Sequence, residues 1–402
     1  MKSTTRVGSQ LSPLSLMLLL GALTACQGLP QDDNGTSCSI RDPAGPIVEN
    51  SAVGGEDEEA TFQRLWQIGG LDDAPLLVAP LAIAVDRNGR AAIADAGLSE
   101  LNLVDANGVW EGTVARRGEG PGEILGPVAL SWADDGVLLV MDVVLARVTE
   151  LNLNTGGRRT FPVDPALVIP AVSSGQIGFA ALQPDLSVWL EIPGQERFEG
   201  WEERVIARST AGRIGITEVA RGMVRVMGRG PYRREPMSAW PRTLVGVGRT
   251  GWVVADSTHL YELKAFDGNG EVVAHFCYPA VGEGLSEIER GEAVIENQPS
   301  DLPLILQEAG EPQVPAVISR ILIDTDDRVW IQRDRTLPWD SHGRAWGAAS
   351  AMHDVFLASG EYLGSARMPE GHRLQASVGD RVWTFHVGEL GEFSVASFLL
   401  EW

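Results

Sequence analysis

Ile83–Val114 reads IAVDRNGRAAIADAGLSELNLVDANGVWEGTV, and the fold follows from how that stretch is parsed. Asp86–Gly89 and Asp105–Gly108 are turns of the DxxG type, in which a short carboxylate bonds nearby backbone N–H groups and glycine supplies the left-handed position. Between them, Leu101 and Leu103 alternate with polar neighbours at the period of a strand. The segment therefore reads as four short antiparallel strands joined by tight turns.

Working outward, the same pattern recurs. Leu130–Val163 (LSWADDGVLLVMDVVLARVTELNLNTGGRRTFPV) is a second copy and Leu244–Phe276 (LVGVGRTGWVVADSTHLYELKAFDGNGEVVAHF) a third. Aligning IAD, VMD and VAD places Asp95, Asp142 and Asp256 at one position of the repeat, just after an apolar second strand. Weaker copies begin at Ile321 (ILIDTDDRVWIQRD) and Val378 (VGDRVWTFHVGELGEFSVASFLLEW). Residues 173–222 hold the least regular one, with a core strand at SVWLEI. Asp95 to Asp142 is 47 residues, a period expected of a four-stranded propeller blade. The 342 residues from Thr61 to Trp402 divide into six units of 57, a blade plus some extra loop. The expected architecture is all-β: a six-bladed β-propeller of four-stranded antiparallel blades over residues 61–402. A last blade built only from the C-terminus would leave an open edge, so Thr61–Gly69 (TFQRLWQIG) is expected to complete it beside VWTFHVG and FSVASFLLEW.

The stretch RRGEGPGEILGP (Arg116–Pro127), the VxD element and the Trp-bearing strands DRVWIQ and DRVWTF together resemble the bacterial six-bladed β-propellers related to NHL-repeat proteins, including lipoproteins. The resemblance covers most of residues 61–402, with 173–242 fitting its pattern least. It implies the fold and leaves the activity open.

The first residues form an address. Lys2 and Arg6 precede the apolar run Leu14–Leu20, which is too short to span a bilayer and reads as a secretory signal peptide over residues 1–25. Leu23-Thr24-Ala25-Cys26 resembles the bacterial lipobox, which implies acylation of Cys26 and anchoring by two or more acyl chains. Gln27 after the cysteine implies sorting to the outer membrane. Residues 26–60 read as an acidic flexible tether, with eight Asp or Glu against Arg41 alone. Of the other cysteines, Cys38 and Cys277 are either a disulfide stapling tether to domain or two free thiols.

Composition narrows the function classes. The formal charge of -22 makes nucleic acid an unsuitable partner, because phosphate contacts need clustered Lys and Arg. With 46 Gly and 23 Pro, the chain is rich in turns, not long helices. GEGPGE (Gly118–Glu123) lacks the Lys-Ser/Thr of a P-loop and reads as an inter-blade turn. Asp95, Asp142 and Asp256 are either turn caps or a ring of channel carboxylates, and capping is the simpler account. The six histidines show no dense metal-ligand spacing; His342 and His353 are the candidates for acid–base or metal chemistry. No GxSxG elbow is present. Leu285–Asn297 reads as a short capped helix.

One segment opposes the acidity. Arg221, Arg225, Arg229, Arg233, Arg234 and Arg242 lie among Tyr232 and Trp240, with Glu235 alone opposing. They suit a carboxylate or sulfated glycan, or else they pair with the protein's own acids. The expectation is a lipid-anchored, extracytoplasmic, monomeric binding module for a protein or glycan, with no cofactor required. The rival is a lactonase-like hydrolase or a lyase with a polar or metal site (Ca or Zn) in the central channel.

Overall fold

A computed structural model of the chain describes residues 46–50, 59–71, 75–173, 179–198, 201–227, 235–236, 242–256, 261–277, 318–333, 351–388 and 390–402. Within the unit Cys38–Trp402 the described residues are nearly all β. In chain order the elements are β1 (Ile47–Glu49), β2 (Glu59–Gly69), β3 (Pro80–Val85), β4 (Ala91–Asp95), β5 (Glu100–Val104) and β6 (Trp110–Ala115). There follow β7 (Pro127–Asp134), β8 (Val137–Asp142), β9 (Arg147–Asn152), β10 (Arg158–Pro162), α1 (Pro165–Ser173), β11 (Ala180–Leu182), β12 (Ser187–Phe198), β13 (Trp201–Thr210), β14 (Thr217–Met227) and β15 (Glu235–Pro236). The rest are β16 (Leu244–Val247), β17 (Gly251–Ala255), β18 (Glu262–Asp267), β19 (Val272–Cys277), β20 (Ile318–Ile323), β21 (Arg328–Arg333), β22 (Met352–Leu357), β23 (Tyr362–Arg367), β24 (His372–Val378), β25 (Arg381–Val387) and β26 (Phe393–Glu401).

These strands form propeller-like antiparallel meanders. β3–β6 and β7–β10 are four-stranded sheets, β11–β15 is five-stranded, and β16–β19 carries β1 as a fifth strand. The remaining sheet has eight strands in the order β20-β21-β22-β23-β2-β26-β25-β24. β2 joins its halves: Glu59 and Ala60 run parallel to Ser365 and Ala366, and from Thr61 the strand turns antiparallel to β26, pairing Thr61 with Glu401. The N-terminal strand thus covers the edge that β26 would otherwise expose, as edge physics demands.

The second strands explain the apolar runs in the sequence. AAIAD of β4 is buried at all five positions, because a sheet packs on each of its faces. Ala92 and Leu101 pack with Leu138 and Val140, and Met141 and Val148 with Leu190 and Ala207. Trp189 meets Trp252 at 5.2 Å, Leu263 packs with Phe356, and Trp330 with Phe398. Finally Trp383 and Phe385 pack on Ile83 and Ile93, so the last sheet rests on the first. The largest buried side chains include Trp189, Trp330 and Trp383, all on second strands.

Side-chain clasps tie neighbouring sheets where apolar contact ends. Trp132 Nε1 donates to Ala84 O at 3.1 Å, Arg381 Nη2 to Ala106 O at 2.7 Å, and Gln183 Nε2 to Gly248 O. In the two DRVW strands, Arg328 and Arg381 lie over Trp330 and Trp383 at 5.7 and 5.2 Å; Arg328 reaches Gly379 O between β24 and β25, and Arg381 reaches Ala106 O between β5 and β6.

Two elements were not expected from the sequence. Within residues 26–60, β1 lies parallel on β19, and β2 begins at Glu59, ahead of the expected boundary at 61. Asn50 reinforces the first contact, donating to Gly360 O at 2.9 Å and accepting from Tyr362 N at 3.2 Å. The physical cause is the edge of β19, whose unpaired backbone groups take up Ile47–Glu49. The observed helix is α1, whose Asp164-Pro165 start is an N-cap followed by proline at N1. Asp164 Oδ1 accepts from Ala166 N at 2.8 Å, and Leu167, Val168 and Ala171 enter the core. The helix expected at Leu285–Asn297 lies outside the described residues.

Candidate functional site

Antiparallel meanders have two ends, and here the ends differ. At one, the connections between first and second strands, and between third and fourth, never exceed six residues. Several of them are built on the same turn. Asp86 Oδ1 accepts from Asn88 N and Arg90 N at 2.8 and 2.9 Å, and Asp105 and Asp267 repeat this with Asn107 and Val109, and with Asn269 and Glu271. Gly89, Gly108 and Gly270 follow at φ of 83°, 85° and 90°, which a side chain would strain. The backbone N–H bonds, led by those from Val109 and Glu271, hold the Asp105 and Asp267 carboxyls below their ordinary range. From the opposite end leave the long connections: 70–79, 116–126, 163–179 and those that follow β14, β19 and β21. A ligand surface built by loops belongs to that end.

Asp95 and Asp142 stand at this second end as caps. Asp95 accepts from Val78 N, Ala79 N and Leu98 N at 2.6, 3.1 and 3.0 Å. Asp142 does the same from Leu125 N, Gly126 N and Leu145 N at 2.6, 3.2 and 2.9 Å. Both carboxylates are fully buried and spent on backbone. Asp256 departs from them: it is exposed and its side chain meets Lys264. The GEGPGE loop supplies its own anion, since Glu123 Oε2 takes the Gly120 N–H at 2.7 Å. Arg147 clamps the loop from below through the Glu119, Gly120 and Glu123 carbonyls.

The structure describes some of the sequence candidates. Arg221, on β14, is held by Glu203 and Glu218 at 2.5 and 2.6 Å. Burial pushes the Glu203 carboxyl up, but bonds from Gln195 N and Arg221 outweigh it and hold the group low. Arg225 pairs with Trp201 in the β13–β14 register, and Arg242 Nη2 donates to Ser319 O at 3.0 Å. Arg229, Tyr232, Arg233, Arg234 and Trp240 lie outside the described residues, as do His342, Cys26 and Cys38. Cys277 is disulfide-bonded. His353 is buried on β22, edge-on to Trp330, with Nδ1 3.2 Å from Ala351 O. Burial, with Arg320 and Arg373 adding like charge, lowers it to about 3, so it is neutral at pH 7.

Three groupings were not foreseen. Tyr261 Oη donates to Asp354 Oδ2 at 2.6 Å, and Arg333 pairs with the other oxygen of the same buried carboxylate. Burial and then Asp354 push the Tyr261 hydroxyl well up, so this network ties β18 to β22 and offers no acid at neutral pH. His372 and His386 pair across β24 and β25, with ring centroids 4.5 Å apart; burial and then His386 lower His372 to about 4. Arg320 Nη1 donates to Leu374 O and Nη2 to Gln375 Oε1 at 3.3 Å, joining β20 to β24, the two outer strands of the eight-stranded sheet. Each of these residues sits singly in an otherwise strand-like stretch, and no spacing in the sequence links them. Among the described residues no group of three or more His, Cys, Asp or Glu is arranged to hold a metal ion, and no helix is long and apolar enough to cross a membrane.

No protein-family model matches the chain, and no curated protein matches it. Similar solved structures include an exported protein of Bacteroides fragilis NCTC 9343, at 12% identity over 88% of this chain and 98% of that one, TM-score 0.46. A member of the DUF4221 family from Bacteroides vulgatus is similar at 9% identity over 86% and 99%, TM-score 0.49. Virginiamycin B lyase from Staphylococcus aureus is similar at 11% identity over 85% and 99%, TM-score 0.38. The strand pairing itself defines the fold.

Proposed function

We propose that the chain is a six-bladed β-propeller, exported and held at the outer membrane by lipid on Cys26, that works as a binding module for a protein or glycan. The segregation of connections carries this reading: short turns, several of them Asp-capped, close one end, and the connections longer than six residues between the described strands leave from the other. Binding surfaces concentrate on loops held by a rigid scaffold. In this reading the six blades are β3–β6, β7–β10, β11–β14, β16–β19, β20–β23, and β24–β26 with β2. The arginine-rich segment is the first candidate surface, narrowed to Arg229, Arg233 and Arg234 with Tyr232 and Trp240. Arg221 and Arg242 are already engaged by Glu203, Glu218 and Ser319.

The test uses the full chain, immobilised and exposed to an envelope extract, beside a variant with Arg229, Arg233 and Arg234 changed to Ser. Loss of a captured protein or glycan in the variant supports the reading, and unchanged capture counts against that surface. Stoichiometric Ca or Zn in the purified protein would instead favour the channel enzyme.

A further inference from the structure

We propose that His372 and His386 form a two-imidazole site for a divalent transition metal ion, at the end from which the long connections leave. The site goes beyond the binding reading and does not depend on it.

The strand ladder sets the spacing. His372 and His386 stand directly opposite each other on β24 and β25, which holds their Cβ atoms about 5 Å apart on one face of the sheet. Their ring centroids are 4.5 Å apart and the ring planes differ by 31°. Of the four histidines that the structure describes, only these two lie against each other. A pair placed by strands is held more precisely than one placed by loops.

On each ring Nδ1 is engaged and Nε2 is free. His372 Nδ1 meets Thr384 Oγ1 at 2.8 Å, and His386 Nδ1 meets Ser394 Oγ at 3.3 Å. A hydroxyl accepts an Nδ1–H, and that tautomer leaves the Nε2 lone pair for a metal. Gln67 Nε2 donates to Ser394 Oγ at 2.9 Å, so this support reaches β2. Neither Nε2 makes a hydrogen bond, although His372 is only 8% exposed. His275 shows the ordinary alternative, an unpaired Nε2 sealed from solvent; the Nε2 atoms of His372 and His386 are not sealed. Gly371 leaves room beside them, since a Cβ there would come within 3.0 Å of His386 Nε2.

Imidazole nitrogen suits Cu(II), Ni(II) and Zn(II), whereas Ca(II) and Mg(II) take oxygen. The remaining coordination positions go to water or to a donor atom of a ligand. Two charged side chains bear on the pair. Arg64 is exposed and bonded to Gln67 Oε1 at 3.1 Å, and Glu392 adds negative charge near His386.

The experiment is calorimetric titration of the chelator-stripped full chain with Cu(II), Ni(II) and Zn(II), with Ca(II) and Mg(II) as competitors. Cu(II) should bind most tightly, and neither competitor should displace it. His386→Gln and His372→Gln should each weaken Cu(II) binding at least tenfold. Thr384→Val keeps the side-chain shape, removes the hydroxyl that positions His372, and should weaken binding about tenfold. Electron paramagnetic resonance of the Cu(II) form should show two imidazole nitrogens in the parent and one in His386→Gln. That variant changes the half-buried ring, so it tests the site even if His372→Gln fails to fold. The proposal is overturned if His386→Gln binds Cu(II) like the parent, or if Ca(II) competes as well as Ni(II). Parent affinity in the doubly substituted chain would also overturn it, and would leave the binding reading untouched.

Discussion

Replacing Asp142 with Ala removes one carboxylate and leaves three donors, Leu125 N, Gly126 N and Leu145 N, without their acceptor. Bonds to a charged acceptor contribute about 1.5–3 kcal/mol each, and orphaned N–H groups cost about 1–3 kcal/mol where water cannot replace the partner. Leu125 and Gly126 are only partly buried, so water recovers part of the loss. A net cost of about 3–5 kcal/mol follows. At roughly 2 cal/mol/K per residue, a ring of this size loses about 1.4 °C per kcal/mol, or about 4–7 °C in all. Asp95→Ala should behave alike, because Val78 N, Ala79 N and Leu98 N repeat the arrangement. Asp256→Ala should cost under about 0.5 kcal/mol, since that side chain is exposed and meets only Lys264. The assay is urea unfolding followed by tryptophan fluorescence on the three variants. An Asp142→Ala protein within about 1 kcal/mol of the parent would refute the capping role, as would equal losses at Asp142 and Asp256.

Three further outcomes follow from the same contacts. Arg381→Ala should destabilise by about 2–3 kcal/mol in urea unfolding, because the 2.7 Å bond to Ala106 O and the stacking on Trp383 go together. Stability should fall as pH drops below 6.5, the ordinary histidine value: the unfolded chain takes up protons that folded His372 and His353 refuse until about pH 4 and about pH 3. His353→Gln should flatten that slope over its whole span, from 6.5 down to about 3, in pH-dependent unfolding, and an unchanged slope would assign it to other groups. Intact mass before and after reduction, with alkylation, should show one disulfide between Cys277 and Cys38, and alkylation of both unreduced thiols would contradict the pairing.

Much of the strand pattern could be read from local chemistry. Asp86, Asp105 and Asp267 mark turns because a carboxylate two residues before a free N–H closes the loop by itself, and glycine follows where φ is positive. Second strands announced themselves because burial on both faces leaves no polar alternation, as in AAIAD. What was hidden depended on distant partners. Ile47–Glu49 sits in an acidic stretch with little apolar signal, and only the free edge of β19 makes it a strand. The capped start of α1 was local and legible, in Asp164-Pro165, but the surrounding irregular strands masked it. Arg320, Arg373 and Gln375 meet only because β24 lies beside β20, more than fifty residues away, so no spacing could join them. Arg221 was hidden for the opposite reason: it finds Glu218 three residues before the segment, which a count of net charge conceals.

β2 closes the fold by pairing with β26. Thermal unfolding of a chain lacking residues 396–402 tests it most directly, since the deletion removes the partners of Thr61–Gln67 and the buried side chains of Ala396, Phe398 and Leu400. The account predicts a melting temperature lower by roughly ten degrees or more, with a broader transition. A truncated protein that melts where the full chain does would contradict it.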